Sequence, residues 1–294
     1  MSTLRFEFVD VFTDRPFPGN PLAVVFGAGR LSGGQLQAIA REFNLSETVF
    51  VLPPTPEGAG NGASYRVRIF TPTQELPFAG HPSVGAAVCQ LRAGAVTAGP
   101  VLQECGAGLV SIEVAEAGTA TLTGAAPNVG PELDPGPLLA LAGLTEADFA
   151  GPAPRLAGCG LDFPFLSVRP EAVARAACDL RVAATIASAR VSLFSWDTVT
   201  RTAHTRVFLP GLGVVEDPAA GSAALGFGVW LVASGLLPGD GRSTYRVRQG
   251  LELERPSTLD CSVTAADGAA VSATVTGQVV PVGSGEIAVP PFVG

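Results

Sequence analysis

Arg68-Ile69-Phe70-Thr71-Pro72, then Glu75, then Gly80-His81-Pro82-Ser83 opening an apolar run to Leu91, is answered in the second half of the chain. There Arg206-Val207-Phe208-Leu209-Pro210 is followed by Glu216 and Asp217, then by Gly221-Ser222 opening an apolar run to Leu231. Each copy reads as a strand, a Pro/Gly-rich loop and a helix beginning at glycine. A strand–loop–helix unit spelled twice predicts two related halves with a site between them.

Working outward, residues 4–12 alternate apolar and polar, the mark of a half-buried strand. Asn20-Pro21 leads into a second strand, Leu22–Phe26. Ser32 is placed to cap a helix running to Phe43, with Leu36, Ile39, Ala40 and Phe43 on one face and Asn44 as its stop. Further strands are expected at Val49–Leu52, Tyr65–Phe70, Leu109–Val114 and Ala120–Leu122, giving ββαββαββ. The Pro/Gly-rich stretch Gly124 to Gly136 reads as the connection. The halves are then 1–124, with the last few residues of the chain as a possible return, and 125–294. In the second half, strands are expected within 155–168, at 191–196 and at 203–208, with a helix near 171–178. Tyr245–Arg248 and Leu251–Glu254 follow as strands, and a hairpin turns at Asp267-Gly268. Strands outnumber helices and turns are short, so the class is α+β, with mostly antiparallel sheets. The two repeated helices are apolar nearly all round, which predicts a curved sheet wrapped on each, with only their N-termini exposed.

Composition narrows the chemistry. The chain has 294 residues, 47% hydrophobic and 15% charged, with a net charge of −8. Scattered arginines without a basic cluster argue against nucleic acid. Lysine is absent, which removes Schiff-base chemistry. Two histidines, His81 and His204, without HExxH-like spacing, argue against a metal, and no cofactor motif stands out. Cys89, Cys105, Cys159, Cys178 and Cys261 show no CxxC spacing and read as reduced thiols. The charged amino terminus is unlike a signal peptide, and the apolar stretch 219–238 reads as a core helix with its loops. A soluble, cytoplasmic protein is expected.

Several residues could carry chemistry. The helix starts at Gly80 and at Gly221-Ser222 offer N–H donors and positive dipole ends to a carboxylate or phosphate, or are ordinary caps. Glu47, at the doorway of an apolar strand, reads either as a solvated strand end or as a general acid/base tuned by burial. The matching strand, Val191–Trp196, carries no acid, so one half alone would supply this group. His81 at a helix start is favoured as neutral imidazole, able to bond a substrate or to cap. Asp217 reads as a turn aspartate or a site residue. Glu104-Cys105-Gly106 looks like the Cys-Gly cassette of cofactor-free racemases, but the alternation after Cys105 marks a strand entry.

Asp10-Val11-Phe12-Thr13, Pro16-Phe17 and Gly19-Asn20-Pro21-Leu22-Ala23-Val24-Val25 resemble the opening signature of the PhzF-like phenazine-biosynthesis family. Asn44-Leu45-Ser46-Glu47-Thr48, the segment Arg68 to Pro82, the segment Arg206 to Ala224, and Gln249-Gly250 continue the resemblance in family order. It implies the diaminopimelate-epimerase-like fold, two barrel-like halves each around a central helix, with the site in the cleft between. It implies a cofactor-independent isomerase, commonly homodimeric, in which Glu47 moves a proton within a dihydro-3-hydroxyanthranilate-like carboxylate. His81 and Asp217 join Glu47 as catalytic residues, with Asn20, Ser46, Gly80, Gly221 and Ser222 binding substrate. Ala220 stands where the family usually has threonine, a departure beside the second helix start. The rival readings are a two-base racemase of the same fold, against which Gly80 and Asp217 stand where cysteines are expected, and a silent binding protein.

Overall fold

Short apolar runs, alternating in some strands and continuous in others, set most of the strands. The computed structural model describes residues 2–187, 189–211 and 214–291. The first part of the chain forms β1 (Thr3–Val11), β2 (Asn20–Phe26), α1 (Gly33–Phe43), β3 (Glu47–Leu52), α2 (Pro56–Gly60), β4 (Tyr65–Phe70), β5 (Glu75–Leu76), α3 (Gly80–Arg92), β6 (Gly99–Cys105), β7 (Gly108–Ala115) and β8 (Thr119–Thr123). It continues with β9 (Asn128–Glu132), α4 (Pro135–Leu141), β10 (Arg155–Gly158), β11 (Asp162–Ser167), α5 (Pro170–Arg175), α6 (Leu180–Ala183), β12 (Val191–Asp197) and β13 (Thr202–Phe208). The rest is β14 (Glu216–Asp217), α7 (Gly221–Ala233), β15 (Gly241–Gln249), β16 (Ser257–Ala266) and β17 (Ala269–Ala288). Two compact units result: residues 1–123 with 276–294, and residues 124–275.

In the first unit, β1–β2 is antiparallel, β2–β3 parallel, β3–β4 antiparallel, β4–β6 parallel, and β6–β7 and β7–β8 antiparallel. The last part of β17 pairs with both β8 and β1, which closes an eight-strand barrel. Closure removes free sheet edges and encloses α3, which packs against β1, β2, β3, β6, β7 and β8. Small residues make this possible: at Gly85 a Cβ would run into the Leu22 side chain. Outside the barrel, α1 is fixed at both ends. Ser32 and Gln35 form a capping box, and Asn44 ends the helix in the left-handed conformation, φ 51°.

The second unit repeats the scheme. β10–β11 is antiparallel, β11–β12 parallel, β12–β13 antiparallel, β13–β15 parallel and β15–β16 antiparallel. Its α7 is held by an aromatic cluster, with Phe227 within 4.6 Å of the Phe194 ring centre and stacked on Trp230 at 6.1 Å. Registers align the copies residue by residue. Phe70 faces Glu75 as Phe208 faces Glu216, and Ile69 faces Leu76 as Val207 faces Asp217. Both central helices are 13 residues long. The repeated arginine is a clamp in each: Arg68 bonds Glu75 through two nitrogens at 2.7 Å, and Arg206 bonds Glu216 at 2.8 and 2.7 Å.

Four expectations are corrected. Leu251–Glu254 is not a strand: Leu251–Leu253 is a 3₁₀ turn flanked by Gly250 and Glu254 in the left-handed region, φ 77° and 55°. The segment 124–136 is more than a connection, because it contains β9, which pairs with β10. The first half holds an extra strand, β6, whose inward residues are Val101, Gln103 and Cys105. The exposed ends of α3 and α7 are the C-terminal ones, Arg92 and Ala233, while Gly80, His81, Gly221 and Ser222 are buried.

Candidate active site

Backbone geometry brings four polar residues of the first unit together. Gly19 has φ 81°, and a Cβ there would lie 2.5 Å from the Val11 carbonyl, so only glycine lets the chain turn back along β1. This places Asn20 opposite Val11 at the start of β2. The left-handed stop at Asn44 sends the chain from α1 into β3, which begins at Glu47, one residue after Ser46. α3 supplies His81 as its second residue.

These side chains form one network. The Ser46 hydroxyl donates to Asn20 Oδ1 at 3.0 Å, and Asn20 Nδ2 faces His81 Nδ1 at 3.2 Å. His81 Nδ1 also lies 3.5 Å from Glu47 Oε2. Because Ser46 occupies the carboxamide oxygen, the Asn20 nitrogen is the donor toward the ring. Nδ1 is then the acceptor and the proton of the neutral ring sits on Nε2. Burial holds the ring neutral: the His81 side chain is 2% exposed, and desolvation pushes its pKa down to about 3. An ionised Glu47 would favour imidazolium, but desolvation of the ring dominates. His81 Nε2 is buried and has no hydrogen-bond partner among the described residues, so its N–H is a donor in reserve. The Glu47 side chain is 12% exposed, so the carboxylate lies at the edge of this buried network.

Neither central helix is capped by a side chain. The N-cap residues are Ala79 and Ala220, and neither makes a side-chain cap bond. Ser83, which could have served as a cap, instead bonds the Ala79 carbonyl at 2.9 Å and accepts from Gln103 Nε2 at 2.8 Å. In the second unit Asp217 is buried, and its Oδ1 accepts from the Ala219 N–H at 3.0 Å, so it is a turn aspartate as well as a buried carboxylate. Gln249 donates to the Asp217 carbonyl at 2.6 Å and accepts from the Ala220 N–H at 3.3 Å. Ser222, 7% exposed, occupies the second helical position, which corresponds to His81.

The repeat also explains the single acid. Thr48 faces Phe70, and Val191 faces Phe208. The residues just before them, Glu47 and Arg190, therefore correspond. A cation in one copy replaces the carboxylate of the other. Cys105-Gly106 corresponds in the same way to Gln249-Gly250: a Cβ at Gly106 would lie 2.9 Å from Pro77 Cα, and one at Gly250 would lie 2.6 Å from the Pro218 carbonyl. The Cys-Gly pair marks a close backbone approach at a strand end, not a reactive helix start. Burial raises the Cys105 thiol pKa and pushes Cys89 and Cys159 up to about 12. Among the described residues no group of three His, Cys, Asp or Glu side chains is arranged to hold a metal ion, and no helix is long and apolar enough to cross a membrane.

This geometry can be set beside known proteins. The sequence profile of the phenazine biosynthesis-like protein family, PhzC-PhzF, matches residues 9–285. The chain belongs to this family. An uncharacterised isomerase of Mesorhizobium japonicum is 35% identical over 98% of this chain and 99% of its own length. The trans-2,3-dihydro-3-hydroxyanthranilate isomerase of Pseudomonas aeruginosa is 34% identical over 87% of this chain and 88% of its own. The crystal structure of a PhzF-family phenazine biosynthesis protein from Bacillus anthracis has the same fold, with a TM-score of 0.86 over 98% of this chain and all of that one, at 24% identity. This member of the phenazine biosynthesis-like family is an isomerase, of the α+β fold described above. Sequence reading named Gln249 only as part of the family resemblance, with no role, and did not single out Gln103. Each is a polar residue on the inward side of an alternating strand, and that was the signal available.

Proposed function

We propose that this isomerase moves a proton within a small carboxylated molecule, with Glu47 as the general acid/base. The observation that carries the reading is Glu47 Oε2 at 3.5 Å from a buried, neutral His81 that Asn20 and Ser46 hold in place. The Glu47 carboxylate removes a proton from an activated carbon, leaving an enol-type intermediate. It then returns that proton to a second carbon of the same molecule, so no atoms are gained or lost. The His81 Nε2–H donates to the substrate oxygen where charge develops. A neutral donor suits this task, because it stabilises the charge without giving up its proton. Gly80, at the start of α3, offers a peptide group to the substrate, and Asp217, Gly221 and Ser222 form a second set of polar and peptide groups able to bind a carboxylated ligand. Arg190 at the place corresponding to Glu47 favours one shuttling acid over two opposed bases.

The relative in Pseudomonas aeruginosa gives the substrate to try first. Trans-2,3-dihydro-3-hydroxyanthranilate is expected to be converted, with a change in ultraviolet absorbance as its diene rearranges. No change at substrate and enzyme concentrations that sustain the relative's turnover would remove this substrate from the proposal.

A further inference from the structure

Building on that reading, we propose that Gln249 is the positioning residue for the Asp217 part of the site. Gln249 ends β15 on its buried side, in line with Tyr245 and Val247, and is 1% exposed. A carboxamide at such a depth needs partners for both its ends. It finds them at the two limits of the approach to α7: Nε2 donates to the Asp217 carbonyl at 2.6 Å, and Oε1 accepts from the Ala220 N–H at 3.3 Å. Ala220 is the N-cap residue of α7 and makes no side-chain cap bond, and Gln249 takes up its backbone N–H, the group that the N3 side chain binds in a capping box. The Asp217 carboxylate points back to the Ala219 N–H at 3.0 Å. One side chain therefore fixes both ends of the turn from Asp217 to Ala220, which carries the carboxylate at its start and leads into the first turn of the helix.

Gly250 keeps this arrangement tight. Its φ is 77°, and a Cβ would lie 2.6 Å from the Pro218 carbonyl and would also meet that of Arg255. The strand end and the turn thus touch through backbone, which leaves Gln249 little freedom to swing away. The first unit solves the same problem differently. There Cys105 stands at the corresponding place and bonds locally to the Gly108 carbonyl, while Gln103 works through the Ser83 hydroxyl on Ala79.

The test uses the full chain, with Gln249→Met, which removes both bonds at similar volume, and Gln249→Glu, which keeps the acceptor and loses the donor. Hydrogen exchange at the single Ala220 amide is read without substrate. It should be about five- to tenfold faster in the Met variant, the effect of one lost hydrogen bond, and near wild type in the Glu variant. With trans-2,3-dihydro-3-hydroxyanthranilate, both variants should raise KM more than they lower kcat, and the pH profile of kcat should keep its shape because Glu47 and His81 are untouched. Wild-type exchange at Ala220 in the Met variant, or unchanged kcat and KM in either variant, would overturn the assignment. If the Met variant does not fold, the Glu variant's KM decides. If the wild-type protein does not turn this compound over, the substrate assignment fails, and the Ala220 exchange alone decides the role of Gln249.

Discussion

Acid should weaken the first unit through His81, because desolvation opposes charging of the buried ring. Burial pushes the ring down to about 3 from the ordinary 6.5 of an exposed side chain. Well above pH 6.5 the ring is neutral in both states and contributes no pH dependence. Below it the unfolded chain binds a proton that the folded chain refuses, so stability falls steadily until the pH reaches the folded value. The loss is about 1.4 kcal/mol per pH unit, or about 2 kcal/mol at pH 5 relative to neutral pH. His81→Gln removes the titration while leaving a polar side chain toward Asn20. Both tryptophans, Trp196 and Trp230, lie in the second unit, so their fluorescence would miss the event. Urea unfolding should instead be followed by pulsed amide exchange in the α3 segment, residues 80–92, at pH 7.5 and pH 5. The gap between wild type and variant should shift against the wild type by about 2 kcal/mol on acidification. A gap constant within about 0.5 kcal/mol would mean that the ring charges in place, and the neutral-donor argument would fail.

The two arginine clamps should differ in weight although their geometry matches. Arg206 and Glu216 are 8% and 10% exposed, whereas Arg68 and Glu75 are 30% and 42% exposed. Glu216→Ala should therefore cost about 3 kcal/mol and Glu75→Ala less than about 1 kcal/mol in denaturant titrations, and equal losses would contradict the burial argument. Thiol reagents should leave activity intact at pH 7.5, because burial raises the pKa of all five cysteines and none belongs to the proposed site. Rapid inactivation by iodoacetamide would revive the two-base racemase.

Much of this was readable in the sequence because the fold repeats itself. Arg68 to Leu91 and Arg206 to Leu231 gave the strand, the loop and the central helix of each unit, and alternating or continuous apolar runs gave many of the other strands. Ser32 and Asn44 marked α1 correctly because capping is a local matter. The failures were non-local. β9 contains Gly130 and Pro131 and has no apolar run, so it looked like a linker until β10 paired with it. Leu251–Glu254 alternates like a strand, but two left-handed residues fold it into a turn. Among the candidate residues, Glu47, His81, Asn20 and Ser46 were named from the sequence, but their contacts depend on the registers of β2 and β3. The correspondence of Glu47 with Arg190 also depends on register and could not be read from spacing.

The most direct measurement is turnover by Glu47→Gln, a change that keeps the shape and hydrogen-bonding reach of the side chain and removes its capacity to exchange a proton. Turnover at saturating substrate should fall by about 10²- to 10⁴-fold, with the melting temperature close to wild type. A well-folded variant that kept more than about a tenth of wild-type turnover would show that another group moves the proton.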